Sequence, residues 1–248
     1  MKKVIAYPLS VLYYLYFGFL LCFFHLLQVL ALRLIGRETH KKVVDFLNWL
    51  LMGAFGILGV RYRVRSSELL RQGQSYIFAA NHQSTYDIPP MIWHLRKYHA
   101  KFISKKSLGS GIPSISYNLR HGGHLLIDRG SPAEAIAQIK DFAQELQRKN
   151  YSCAIYPEGT RSRSETPKKF HRSGLQVLIE NMPKAAIVPI AIQHSWKLAT
   201  QNYFPFPVGI RIEVDIMDPI STKDKSADDL IDETEAIIQN RLAELAKS

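Results

Sequence analysis

Two hydrophobic patterns divide the chain. From Val4 to Leu32, 29 residues pass without an Asp, Glu, Lys or Arg. As a helix that run would extend about 43 Å at about 1.5 Å per residue, enough to cross a bilayer with tilt. Lys2 and Lys3 precede it, and Arg33, Arg37, Lys41 and Lys42 follow it. The run is too long for the core of a cleaved signal peptide, and no small-residue cleavage pattern closes it. A second apolar run, Phe46 to Val60, has 15 residues. It would extend only about 22 Å, too short to span upright. The pattern predicts residues 1–60 as a membrane-anchoring helical hairpin lying in one leaflet, with a single crossing helix as the alternative. More positive charge flanks the C-terminal side, which places that side in the cytoplasm in either case.

From Arg61 the period changes. Short β-branched and aromatic runs alternate with helical stretches, the pattern of an α/β domain over residues 61–248. Strands are predicted at Tyr62–Arg65, Tyr76–Ala80, Lys101–Ser104, His124–Ile127, Ser152–Tyr156, Ala186–Ile192 and Ile210–Met217. Ser131-Pro132-Ala133-Glu134 has the Ser cap, first-turn Pro and following Glu of a helix start, and that helix should run to about Lys149. Ser226 to Ala246 reads as a closing amphipathic helix with Leu230, Ile231, Ile237, Ile238, Leu242 and Leu245 inward. Phe204-Pro205-Phe206-Pro207 reads as an apolar connection or a lipid contact.

The formal charge is +11 and unevenly placed. Residues 1 to 65 carry net +7 and residues 213 to 248 net −6, which leaves +10 between them. A basic body suits an anionic partner such as a membrane surface or a phosphorylated substrate. No nucleic-acid-reading module is present in the pattern, and the apolar N-terminus points to the membrane lipid bilayer instead. Only two cysteines occur, Cys22 and Cys153, so no disulfide framework is implied and a reducing compartment is the default.

Two blocks carry chemistry. Asn81-His82-Gln83-Ser84-Thr85-Tyr86-Asp87 follows a predicted strand and precedes Pro89 and Pro90. His82 and Asp87 would point about 140° apart on a straight helix. In a strand-to-helix turn the carboxylate can reach an imidazole nitrogen, set its tautomer and leave the other nitrogen free to take a proton. The plain alternative is that Asp87 caps the next helix and His82 is an ordinary loop residue. Ser84 lacks the G-x-S-x-G elbow of a nucleophilic serine. The second block, Tyr156-Pro157-Glu158-Gly159-Thr160-Arg161-Ser162, follows another predicted strand. Gly159 would let backbone N–H groups approach an anion, and Arg161 offers a planar fork suited to phosphate. Glu158 would bond hydroxyls or hold the loop; the plain alternative pairs it with Arg161. Lys105 and Arg129 also stand at predicted strand ends.

The order of four blocks resembles the glycerolipid acyltransferases over roughly Arg61 to Trp196. These are Asn81-His82-x-Ser84-x-x-Asp87, Ile127-Asp128-Arg129, Pro157-Glu158-Gly159-Thr160-Arg161-Ser162 and Ile187-Val188-Pro189-Ile190. The resemblance implies a mixed central sheet flanked by helices, with residues 61–248 as the catalytic domain. His82 would act as general base on an acceptor hydroxyl, with Asp87 orienting it. Arg129 and Arg161, with Lys105, would hold the acceptor phosphate, and Glu158, Gly159 and Thr160 would shape the acceptor site. Val188-Pro189-Ile190 would support the site or line the acyl path. The implied donor is acyl-CoA or acyl-carrier protein and the implied acceptor is of the lysophosphatidate type; no metal or other cofactor is implied. The catalytic domain would sit on the cytoplasmic face of the inner membrane. Three departures bear on the acceptor: Tyr156 where Phe is more usual, Ser107 where Glu is common, and the Phe170-His171-Arg172-Ser173-Gly174 run. Other lysolipids, lyso-ornithine lipid among them, therefore remain alternative acceptors.

Overall fold

The computed structural model describes residues 2–222 and 224–247, without the side chains of residues 2 and 3, so the basic flank expected there lies outside the described side chains. Seven strands form one sheet: β1 (Arg61–Ser66), β2 (Tyr76–Ala80), β3 (Lys101–Lys105), β4 (Leu125–Ile127), β5 (Cys153–Ile155), β6 (Ala186–Gln193) and β7 (Arg211–Ile216), in the order β1-β7-β6-β2-β5-β3-β4. Each predicted strand is present. The pairs β2–β6, β2–β5, β5–β3 and β3–β4 are parallel. Strand β7 runs antiparallel to β6 and carries β1 parallel to itself, which makes the sheet mixed.

Helices cover both faces, and alternation along the strands decides which side chain meets which layer. Tyr76, Phe78 and Ala80 of β2, with Val188, Ile190 and Ile192 of β6, face a core that includes Met91 and Leu95 of α3 (Ile88–Leu95). Ile77 and Ala79, with Ile187 and Ala191, face the opposite core. That core is closed by α5 (Pro132–Lys149), α6 (Arg172–Asn181) and α7 (Ala227–Leu245). Residues 188–190 are thus buried support in the central sheet. Pro189 is tolerated there because its carbonyl accepts from Met217 N–H (3.0 Å). Its N–H-less nitrogen therefore faces the side where the β7 ladder has already ended, at Ile190. On α7 one inward position differs from the pattern. Ile237 is only partly buried, while Thr234 is fully buried and satisfies its hydroxyl on the Leu230 carbonyl (2.6 Å).

The N-terminal pair is α1 (Lys2–Leu30), prolonged by a wide turn over Ala31–Ile35, and α2 (Arg37–Ala54). The second helix starts well before the apolar run that announced it, because His40, Val44, Leu47 and Leu51 already form a buried stripe at helical spacing. A short 3₁₀ turn, Phe55–Leu58, follows it. Val4–Ile35 is long and apolar enough to cross a membrane. Much of its apolar surface is uncovered: Val4, Leu15, Phe19, Leu34 and Ile35 are each at least 60 % exposed. An exposed apolar surface of that extent marks membrane association.

The opposite face of the hairpin enters the main core. Tyr13 is fully buried, with ring centroids 4.6 Å from Phe55 and 5.1 Å from Phe206. Phe206 N–H donates to Ser10 Oγ (2.8 Å), so the Phe204–Pro207 segment docks α1 rather than merely linking elements.

The half-buried His124 gives the fold one source of pH sensitivity. His124 Nδ1 accepts the Phe102 N–H (3.0 Å), a bond that protonation of Nδ1 would destroy. Burial, then the nearby Lys101 and His40, pull its pKa down to about 3. The unfolded chain binds a proton near pH 6.5 and the folded chain does not, so this contribution to stability is lost as pH falls below about 6.5. Chemical denaturation at pH 7 and pH 5 should differ by on the order of 1–2 kcal/mol from this group, and His124→Gln should flatten that difference; an unchanged slope would show that His124 is not held neutral.

Candidate active site

Five parallel strands carry their C-terminal ends to one edge of the sheet. His82 follows β2, Pro157 to Arg161 follow β5, Lys105 ends β3, Arg129 follows β4, and Ser195 follows β6. The sequence-predicted residues are thereby gathered on neighbouring strands, in the region where α/β folds bind ligands.

Asn81 pins the ends of two of these strands. Its Nδ2 donates to the Ile192 carbonyl (2.9 Å) and its Oδ1 accepts the Ile192 N–H (2.7 Å), continuing the ladder through a side chain. The next residue, His82, is held by its backbone. Its N–H donates to Glu158 Oε1 (2.7 Å), and its carbonyl accepts the Ser162 N–H (2.7 Å).

Asp87 is the hub of the first block and is fully buried. Its Oδ2 lies 2.8 Å from His82 Nδ1 and accepts the N–H groups of Gln83 (2.8 Å) and Ser84 (3.0 Å). Its Oδ1 accepts the Ser195 hydroxyl. Ser84 and Asp87 also form a reciprocal capping box on the 3₁₀ turn Thr85–Asp87, which leads into α3. Both readings of Asp87 therefore hold in one carboxylate, which caps the turn and bonds the imidazole. With Nδ1 occupied, Nε2 makes no hydrogen bond among the described residues, and the His82 side chain keeps 15 % exposure.

Of the two roles its position offers, bonding hydroxyls or holding the loop, Glu158 has the geometry of the second. Its side chain is fully buried, and Oε2 accepts the Lys168 N–H (2.8 Å) while Oε1 holds His82. It clamps two loops together. Burial raises its pKa, and the backbone donors at His82 and Lys168 partly oppose that rise. Gly159 sits at φ +67°, a conformation that favours glycine, and a Cβ there would stand 3.0 Å from His171 Cδ2, a tight contact. Thr160 is exposed. Arg161 does not pair with Glu158. Its Nη1 donates to Thr85 Oγ1 and to the Tyr203 hydroxyl (3.2 Å), joining the two blocks. Partial burial, then the like charge of Arg161, lower the pKa of Arg129. Lys105 is exposed and, like Arg129, makes no ion pair among the described residues. Among the described residues the site thus has a histidine with one free nitrogen and, at neighbouring strand ends, cations without a carboxylate partner.

Four side chains, Gln83, Gln193, Ser195 and Tyr156, join the site in roles that the sequence did not assign them. Gln83 Nε2 donates to Gln193 Oε1 (3.0 Å), and Ser195 bonds Asp87, both across the β2–β6 junction. Tyr156 stacks on His82 with centroids 4.1 Å apart and planes at 26°. Gln83 and Tyr156 adjoin the motifs in sequence, but no spacing signal connects Gln193 or Ser195 to a residue more than 100 positions away.

The Tyr156 hydroxyl is buried and makes no hydrogen bond among the described residues. Leaving such a group unpaired costs about 1–3 kcal/mol. Tyr156→Phe keeps the stacked ring and removes that penalty. It should raise the unfolding free energy by about 1 kcal/mol with turnover retained, as measured by denaturant titration and rate assay; a loss of stability would mean the hydroxyl has a partner.

The chain matches the family model described as Acyltransferase over residues 61–193. It is 30 % identical to an acyltransferase of Schizosaccharomyces pombe over 192 residues, 76 % of this chain and 68 % of that one. It is 25 % identical to 1-acyl-sn-glycerol-3-phosphate acyltransferase alpha of Mus musculus over 78 % of this chain and 67 % of that one. The crystal structure of the 1-acyl-sn-glycerophosphate (LPA) acyltransferase PlsC from Thermotoga maritima superposes with a TM-score of 0.80 at 22 % identity. That match covers 100 % of this chain and 99 % of the other, and it establishes a shared fold including the N-terminal helical pair. With the motif blocks gathered on one sheet edge and the family model spanning them, the chain belongs to the glycerolipid acyltransferase family and is an O-acyltransferase.

Proposed function

We propose that the protein transfers a fatty acyl group from a thioester carrier, acyl-CoA or acyl-carrier protein, to the sn-2 hydroxyl of a 1-acyl-glycerol-3-phosphate, giving phosphatidate. The observation that carries this reading is the 2.8 Å contact between His82 Nδ1 and Asp87 Oδ2, with Nε2 left without a hydrogen bond among the described residues and with Lys105, Arg129 and Arg161 at or after the ends of strands on the same sheet edge. The names of the curated relatives support the choice of acceptor.

In this mechanism Asp87 accepts the Nδ1 proton's hydrogen bond and fixes the tautomer with a basic Nε2. Stacking on Tyr156 limits rotation of the ring. Nε2 takes the acceptor hydroxyl proton as that oxygen attacks the thioester carbonyl carbon. The tetrahedral intermediate collapses with cleavage of the C–S bond, and the thiolate recovers the proton from the imidazolium. The enzyme itself is never acylated. A thioester is already activated, so positioning plus general-base help supply the rate. Arg161 and Arg129, with Lys105, bind the acceptor phosphate. Gly159 and Thr160 shape the turn beside it, and Glu158 acts by holding that turn against His82. Residues 1–60 anchor the catalytic unit, residues 61–248, to the bilayer on the cytoplasmic face of the inner membrane, which the basic residues after the apolar run support. The anchor keeps the site at the level of a lipid acceptor while the soluble thioester approaches from water.

Carrier-thiol release by purified protein, measured with lysophosphatidate, with lyso-ornithine lipid and with neither, tests the reading. Release that depends on lysophosphatidate is expected; release with the amino lipid alone would move the acceptor, and equal release without acceptor would indicate hydrolysis. His82→Ala should lower kcat by about 10²–10⁴-fold without changing vesicle binding. Arg161→Ala should raise the acceptor KM by about 10–100-fold, the worth of one charge-assisted fork; an unchanged acceptor KM would remove the phosphate from Arg161.

A further inference from the structure

A second basic site lies at the opposite edge of the sheet. Lys101 begins β3, and Lys105 ends it on the side of His82. Four residue steps separate them, roughly 13 Å at about 3.3 Å each. Beside Lys101 is a cavity of about 640 Å³, walled by the first turns of α2, by α5 and by the starts of β3 and β4. Its volume is in the range of small-molecule sites.

The charges on its wall do not cancel. Lys41 pairs with Asp45 (2.6 Å), and Lys149 pairs with Glu145. Arg37, Arg96, Lys101 and Arg148 make no ion pair among the described residues, against Glu38 and Asp141 on the same wall. Lys101 is the innermost of these cations. Among the described residues Nζ donates only to the Gly122 carbonyl (2.8 Å), and it lies 5.4 Å from the Tyr151 ring centroid. Burial, then the charge of Lys41, pull its pKa down to about 8, a fall that the opposing charges of Glu38 and Asp45 only partly offset. His40 is 2 % exposed, and its Nε2 has no hydrogen-bond partner among the described residues. The N-terminus of α2 adds backbone N–H groups, since its N-cap is Gly36 with no side-chain cap.

We propose that this cavity binds the phosphate group of a phosphomonoester, with Lys101 as its inner ligand and Arg37 with the first turn of α2 at its rim. A phosphate supplies what the wall lacks: close to two negative charges and three strong acceptor oxygens. The group can arrive on a soluble ester or on a lipid headgroup. Leu34 and Ile35, 76 % and 73 % exposed, stand directly before the rim and offer an apolar surface that suits a membrane. The site shares no residue with the His82 cluster.

Calorimetric titration of the full chain in neutral-detergent micelles tests this, in an Arg161→Ala background that suppresses binding at the other edge. One arm uses inorganic phosphate and the other uses phosphatidate doped into the micelles. Saturable binding is expected, weakened tenfold or more by Lys101→Met and by the rim variant Arg37→Gln. Binding in both arms identifies the phosphate itself as sufficient; binding in the lipid arm alone assigns the site to headgroups. Absence of saturable binding in both arms, or binding that neither substitution moves, overturns the proposal. Because Arg37 is exposed, its variant remains informative if replacing the half-buried Lys101 unfolds the chain.

Discussion

Parallel strand direction is the constraint from which the arrangement of this protein follows. Strands β2, β5, β3, β4 and β6 run the same way, so every loop that leaves a C-terminal end arrives at one edge. Parallel neighbours require long crossovers, and those crossovers place helices on both faces of the sheet. The central strands β2, β5 and β6 are accordingly buried on both sides, and each face of β2 meets a different core. A slip of one residue in β2 or β6 would exchange the two faces and turn the Asn81–Ile192 clasp away from its partner. The position of His82 is thus inherited from strand register, and its backbone is then locked by Glu158 and Ser162.

Within that frame Asp87 does local and long-range work with the same two oxygens. One oxygen serves the imidazole and the first N–H groups of the turn, and the other reaches Ser195 beyond β6. A buried carboxylate is tolerated when donors surround it. Here the donors that satisfy it are also those that orient it toward His82, so capping and orientation of the imidazole are a single requirement. Arg161 adds a tie from the second block to Thr85 and Tyr203, and Tyr203 in turn accepts the Tyr14 hydroxyl of α1 on its carbonyl (2.8 Å). The membrane-facing helix is therefore connected to the cation cluster through two hydrogen bonds.

The N-terminal pair combines two solvents in one element. One face of α1 leaves Val4, Leu15 and Phe19 uncovered, and the other sends Tyr13 into the core with Phe55 and Phe206. This explains why hydropathy alone described α1 well and α2 poorly. Uniform apolarity marks a lipid-facing helix, whereas α2 mixes His40 and Asn48 with leucines along a stripe that only packing reveals.

The chain's own order of residues determined the seven strands, the α5 and α7 boundaries to within a residue or so, the long apolar N-terminal helix, and the place of both chemical blocks after strands, because these depend on period, turn chemistry and local spacing. His82 and Asp87 were legible for that reason: five positions within one turn place them together whatever the rest of the fold does. Tertiary structure alone decided the partners drawn from distant segments. It chose the loop-holding role for Glu158, left Arg161 bonded to Thr85 and Tyr203 rather than Glu158, brought Ser195 and Gln193 to the first block, and set Lys101 beside a basic cavity far from Lys105. The physical reason is that a side chain's role depends on which atoms compete for its donors and acceptors, and those atoms come from strands adjacent in space rather than in sequence.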